Sequence, residues 1–339
     1  MAVAASAVLV VAAAGCGASG STGGGSGSSG KPTLTLYNAQ HEELLKQITP
    51  GFTKQTGIKV RMRNGDDFEL ANQLVQEGSA SPADVFLTEN SPAMSLVDSK
   101  GLFAKVDTAT LAQVPKQFSP ADGDWTGFAA RSTVLVYNKS KVSEADLPAS
   151  IMDLSGPRWK GRIAFSPSGA DFQAIVSAVV DVKGTAAAKT WLEGLKTNGK
   201  VYQGNNVVLK AVNDGEVDAG IIYHYYWYRD QAESGANSDN TQLHYFADKD
   251  AGAFLSVSGA GVLKSSKHQA EAQEFVKYLS GVAGQRALAA SYALEYPLNP
   301  AVPANRAIKP LTELDPPLIE ISTLNGPKVI DLMQQAGLL

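Results

Sequence analysis

Residues 34–62 read LTLYNAQHEELLKQITPGFTKQTGIKVRM, and a strand period, a helix period and a second strand period follow one another within them. Leu34 to Tyr37 is a short apolar run that reads as a first strand. Glu42 to Thr56 sets Leu44, Leu45, Ile48 and Phe52 at helical spacing, with Pro50 as the point where the helix would kink. Lys59 to Met62 reads as the second strand. The rhythm then repeats: Phe68 to Gln76 carries Leu70, Leu74 and Val75 on one helical face, and Asp84 to Leu87 is a third strand. Two βα units in succession begin a doubly wound sheet, so the chain predicts α/β layers around a mainly parallel sheet.

Further strands are expected at Val134 to Tyr137, Arg162 to Phe165 and Ala219 to Tyr223, and helices near Ala186 to Lys196 and Ala270 to Leu279. There is no internal repeat. Asn64-Gly65, Asn198-Gly199 and Asp214-Gly215 mark turns through their tolerance of positive φ. At 339 residues the chain is long enough for two domains, and 44% apolar with 18% charged residues suits a globular protein. A formal net charge of -4 gives no support to nucleic-acid or anionic-membrane binding. Any metal specificity therefore comes from a local site.

Cys16 is the only cysteine, which excludes an intrachain disulfide, a CxxC redox pair and a multi-cysteine zinc site. Met1 to Ala14 is an uncharged apolar run, too short to span a bilayer, which takes about 20 residues. It ends in Ala13-Ala14-Gly15-Cys16, as a bacterial lipoprotein signal does. Residues 1–15 read as that signal, Cys16 as the lipidated residue, and residues 16–32 as a Gly/Ser linker to the anchor. Gly25-Ser26-Gly27-Ser28-Ser29-Gly30 matches GxGxxG formally, but it precedes the first strand instead of following one, so it is no dinucleotide fingerprint.

The chemistry concentrates in Tyr223-His224-Tyr225-Tyr226-Trp227-Tyr228, at a predicted strand end. Two adjacent phenols can offer hard anionic oxygens to a ferric ion, which prefers them to thiolates or neutral nitrogens. Tyr37-Asn38-Ala39-Gln40-His41 and Ala83-Asp84-Val85-Phe86-Leu87-Thr88-Glu89 each set one more possible ligand at a strand terminus. Each feature alone has a plainer reading: tyrosines at a strand end usually pack, a histidine after a strand is a polar loop residue, and Glu89 before Asn90-Ser91-Pro92 begins a turn. His224, by strand alternation, points away from Tyr225. Asp171 reads as a helix cap, and His244 and His268 as solvent-exposed.

These segments, with Pro157-Arg158-Trp159-Lys160-Gly161, Asn213-Asp214-Gly215-Glu216-Val217 and Ala293-Leu294-Glu295-Tyr296-Pro297-Leu298, resemble the periplasmic ferric-ion-binding proteins over about Leu34 to Leu339. The resemblance implies a two-lobed periplasmic-binding-protein fold of class II type, each lobe a mixed sheet flanked by helices, joined by hinge strands near Ala130 and Leu255. Residues 33–130 plus 256–306 would form one lobe and 131–255 plus 307–339 the other. It implies His41, Glu89, Tyr225 and Tyr226 as ligands to Fe(III) in the cleft, with an exogenous anion completing the octahedron. For that anion it implies the helix N-terminus after Ser168-Gly169-Ala170, and Asn205. Tyr223 stands where members with a phosphate pocket carry Asn, and Asn90 replaces a Gln, so phosphate, carbonate and citrate all stay open. Arg131 is either a compensating charge near the anion or a structural ion pair.

The implied function is extracytoplasmic capture of ferric iron by a monomer and its delivery to an ABC permease, without covalent catalysis. Two alternatives stay open on the sequence. A binding protein for a polyamine, thiamine or a phosphonate would stack its ligand on Tyr225 and Tyr226. A hydrolase would need a base beside Ser168, and no motif supplies one.

Overall fold

The computed structural model describes residues 31–339, of which Pro32–Leu339 form one compact unit. The expected signal segment, Cys16 and the Gly/Ser linker to Gly30 lie outside the described residues.

The strands are β1 (Thr33–Asn38), β2 (Lys59–Asn64), β3 (Val85–Leu87), β4 (Thr126–Asn138), β5 (Ile163–Phe165), β6 (Lys200–Val201), β7 (Ala219–Tyr223), β8 (Thr241–His244), β9 (Leu255–Val262) and β10 (Tyr296–Pro297). They join in the order β2-β1-β3-β9-β4-β7-β5-β6, with β8 and β10 each on β4. β1 is parallel to β2 and β3, and β5 is parallel to β6 and β7. Every pairing of β4 and β9 is antiparallel. The sheet is therefore mixed, where the βα rhythm alone implied a mainly parallel one. Both central strands are buried at every residue, so they lack the alternation that marks a strand in sequence.

The helix Glu42–Thr56 has the bounds its periodicity implies and buries Leu44, Leu45, Ile48 and Phe52. Gly57 ends it at φ 78°, a left-handed conformation that costs glycine nothing. Of the three Xaa-Gly turns, only Asp214-Gly215 uses positive φ, 73° at Gly215.

One apolar core gathers Leu34, Leu36, Leu45, Phe52, Phe128 and Phe275 around β1 to β3. Another gathers Leu135, Phe165, Phe172, Trp191, Ile221 and Tyr225 around β5 and β7. β4 serves both: Thr126 to Ser132 pair with β9, and Thr133 to Asn138 with β7 and β8.

Candidate metal centre

Six polar side chains meet where helices begin. His41 is the N-cap of Glu42–Thr56, and Glu89 precedes Asn90, the N-cap of Ser91–Ser99. Asp171 stands second in Ala170–Lys183, Asn205 first in Asn205–Asn213, and Tyr225 and Tyr226 second and third in His224–Glu233. Unpaired N–H groups give a helix start partial positive charge, which favours anionic oxygens.

The tyrosine pair corrects the strand-end reading. β7 stops at Tyr223 and passes straight into the helix. On a strand, adjacent side chains point to opposite faces, whereas in a helix they lie about 100° apart. That is why Tyr225 and Tyr226 can stack with centroids 4.1 Å apart and aim both hydroxyls inward. The Tyr225 hydroxyl donates to Glu89 Oε1 at 3.1 Å, and the Tyr226 hydroxyl to Asp171 Oδ2 at 2.9 Å. His41 Nε2 lies 3.5 Å from Glu89 Oε1. A small hard cation holding its donors octahedrally at about 2.0–2.1 Å sets neighbouring donors about 2.9 Å apart, so the Tyr225–Glu89 and Tyr226–Asp171 spacings each match such an edge, and the His41–Glu89 spacing is wider.

Burial, followed by the charges of Asp171 and Glu89, raises both phenols well above their ordinary range. Burial likewise lowers His41, leaving a neutral imidazole suited to metal ligation. Two phenol protons thus sit between the oxygens that a cation would bridge.

Asp171 corrects the capping expectation. The N-cap, Gly169, receives no side-chain bond. Asp171 is buried and accepts from Tyr226 at 2.9 Å, Asn205 Nδ2 at 2.9 Å and Asn90 Nδ2 at 3.2 Å. Burial, then Glu89, pushes its carboxyl up to about 6. Asn205, one residue implied for an exogenous anion, is thus committed to a carboxylate of the chain. Tyr223 is fully buried behind it and donates to Asn90 Oδ1 at 3.4 Å and the Asp171 carbonyl at 3.3 Å. Ser168 is exposed and donates to Gln203 at 3.1 Å. Its neighbours Gly169 and Ala170 are half-buried at the start of the helix.

Arg131 lies beneath these donors, fully buried, 3.1 Å from Glu295 Oε2 and 3.8 Å from Glu89 Oε1, and it donates to the Glu89 carbonyl. Burial opposes its charge, but Glu295 and Glu89 more than offset that and hold the guanidinium protonated. The contacts are those of the structural ion pair, made with Glu295 and reaching the ligand candidate Glu89. Replacing Arg131 with Met is expected to destabilise the protein by about 3–5 kcal/mol by leaving Glu295 buried and unpaired. Denaturant unfolding checks this, and an unchanged midpoint would contradict it.

Three positioning groups escaped the sequence reading. Asp67 accepts from the backbone N–H of Glu89 at 2.8 Å and of Asn90 at 2.9 Å, fixing the turn that aims Glu89. Glu295 Oε1 lies 3.8 Å from His41 Nε2. Gln40 Oε1 accepts the His41 backbone N–H at 2.7 Å, and Gln40 Nε2 donates to Glu295 at 3.2 Å. Glu295 lay inside a quoted segment, but nothing local pointed to its partners. His224 is no ligand candidate, because its ring turns from the hydroxyls, stacks on Tyr296 and accepts the Ser132 N–H at 3.1 Å. His244 is half-buried against the Pro148 carbonyl at 3.0 Å, not solvent-exposed as expected.

A family model described as bacterial extracellular solute-binding protein matches residues 80–313. The Fe(3+)-binding periplasmic protein of Serratia marcescens is 58% identical over 306 residues, covering 90% of each chain. The major ferric iron-binding protein of Neisseria gonorrhoeae is 40% identical over 308 residues, 90% of this chain and 93% of the relative. Among solved structures, iron-bound HitA from Pseudomonas aeruginosa superposes with a TM-score of 0.85 at 45% identity, covering 90% of this chain and 99% of that one.

Proposed function

Because the chain belongs to the ferric-ion-binding bacterial extracellular solute-binding proteins, we propose that it captures Fe(III) outside the cytoplasmic membrane with His41, Glu89, Tyr225 and Tyr226, aided by Asp171. It delivers the ion to an ABC importer and carries out no reaction. The observation that carries the ligand set is the run of donor spacings from 2.9 to 3.5 Å linking His41, Glu89 and Tyr225, and Tyr226 with Asp171, on two stacked rings. Hydroxyls aimed inward suit coordination, not the stacking of an organic solute.

The position of Asp171 supports a centre in which a carboxylate of the chain takes the place of an exogenous anion. Glu89, Asp171 and Glu295 outnumber the buried Arg131 around the phenols, and Asp67 beneath Glu89 is a further buried carboxylate. Fe(III) brings three positive charges and displaces two phenol protons, so binding adds one positive charge to a centre already rich in carboxylates. An added phosphate, carbonate or citrate would bring negative charge that the chain's own carboxylates already supply. Wild-type protein is therefore expected to develop its iron–phenolate absorbance without added anion, and Asp171→Ala to require one, with affinity about 10–100-fold lower in its absence. An anion requirement in the wild type would overturn this assignment.

The lobes are taken as residues 33–130 plus 256–306 and 131–255 plus 307–339. The change of partners along β4 between Ser132 and Thr133 supports a crossing there, with β9 as the return. Iron closes the lobes only by as much as it binds the closed form better. A monomer tethered through lipidated Cys16 completes the proposal, and mass analysis of membrane-extracted protein tests the lipid.

A further inference from the structure

Arg229 lies one turn beyond Tyr226 on the same helix and is half-buried. Unlike the buried Arg131, Arg229 makes no salt bridge among the described residues. Its guanidinium carbon instead lies 5.9 Å from the ring centre of Tyr225 and 4.7 Å from that of Tyr292. Tyr292 follows the helix Val282–Ala289 and packs on the core of Leu34, Phe52 and Phe275. Tyr225 belongs to the other core, with Phe165 and Trp191.

We infer that Arg229 is a latch, a positioning residue whose guanidinium binds Tyr292 across the cleft and sets how long iron is retained. The inference rests on the iron-capture reading of the same site. A guanidinium stacks on an aromatic face through its planar, weakly hydrated cation, which a lysine ammonium does not reproduce. With no carboxylate within salt-bridge distance among the described residues, Arg229 has the two rings as its direct partners, and one of them is a ligand candidate. The Tyr292 contact exists only while the two cores lie together. Separating them breaks it, so it opposes opening without touching the metal. Tyr292 supplies no donor atom and touches none of the proposed donors, so the effect of its loss falls on release rate and not on the iron–phenolate spectrum.

The test follows iron release from the loaded, signal-free protein into an excess of a colourless chelator, read from the decay of the visible band. Tyr292→Leu is expected to speed release about three- to tenfold with the band maximum unchanged, and Arg229→Gln, which also removes a cation from the Tyr225 ring, to speed it at least as much. Tyr292→Phe, which keeps the ring, should release at close to the wild-type rate, and Arg229→Lys should not restore retention. The double variant should be no faster than Arg229→Gln alone, as expected when Tyr292 acts only through Arg229. Wild-type release from Tyr292→Leu, or multiplied effects in the double variant, would overturn the latch while leaving iron capture intact. A wild-type protein without any band would overturn both.

Discussion

Replacing Tyr226 with Phe is expected to weaken ferric binding by more than about 100-fold, beyond what loss of an outer partner of a ligand costs. The substitution removes one oxygen and keeps the ring, so the 4.1 Å stack on Tyr225 can persist and the fold is not the variable. What is lost is an anionic donor at a helix N-terminus, and Asp171 loses the hydroxyl that donates to it at 2.9 Å. The iron complex should also show a weaker, shifted visible band, because Tyr225 alone then supplies phenolate. Competition against a chelator of known affinity measures the first effect and absorbance the second. Wild-type affinity in this variant would remove Tyr226 from the ligand set.

Ferric affinity is expected to fall about 100-fold for each unit of pH lowered near neutrality, one decade for each proton displaced. The sign follows from the phenols. In the metal-free protein, burial and the nearby carboxylates keep Tyr225 and Tyr226 protonated well above their usual range. In the complex they are phenolates, so two protons leave for each ion bound throughout that window. As pH falls through about 6, Asp171 takes up a proton as well, and the dependence should steepen. Counting protons released per iron, corrected for the buffer and the chelator supplying the metal, checks the number. A count near zero would contradict tyrosinate coordination.

The first helix and flanking strands were legible because Leu44, Leu45, Ile48 and Phe52 face one core at a clean helical period. The helix beginning at His224 was not. Its first residues are aromatic types common in strands, and its N-cap is Tyr223, with no side-chain cap to announce a start. Asp171 was misread for a related reason, since a carboxylate in a first turn resembles a cap until Asn90, Asn205 and Tyr226 arrive from three other elements. Glu295 shows the same limit, because Arg131 and His41 reach it only through the fold. Nothing in the buried runs of β4 and β9 distinguished antiparallel central strands from parallel ones.

The most direct test is a visible absorbance titration of metal-stripped, signal-free protein with ferric iron at neutral pH, without added anion and then with phosphate, carbonate or citrate. The expected result is a phenolate-to-iron band that saturates at one ion per chain before any anion is added, and that each anion changes little. Absence of a band under every condition would contradict iron capture by Tyr225 and Tyr226.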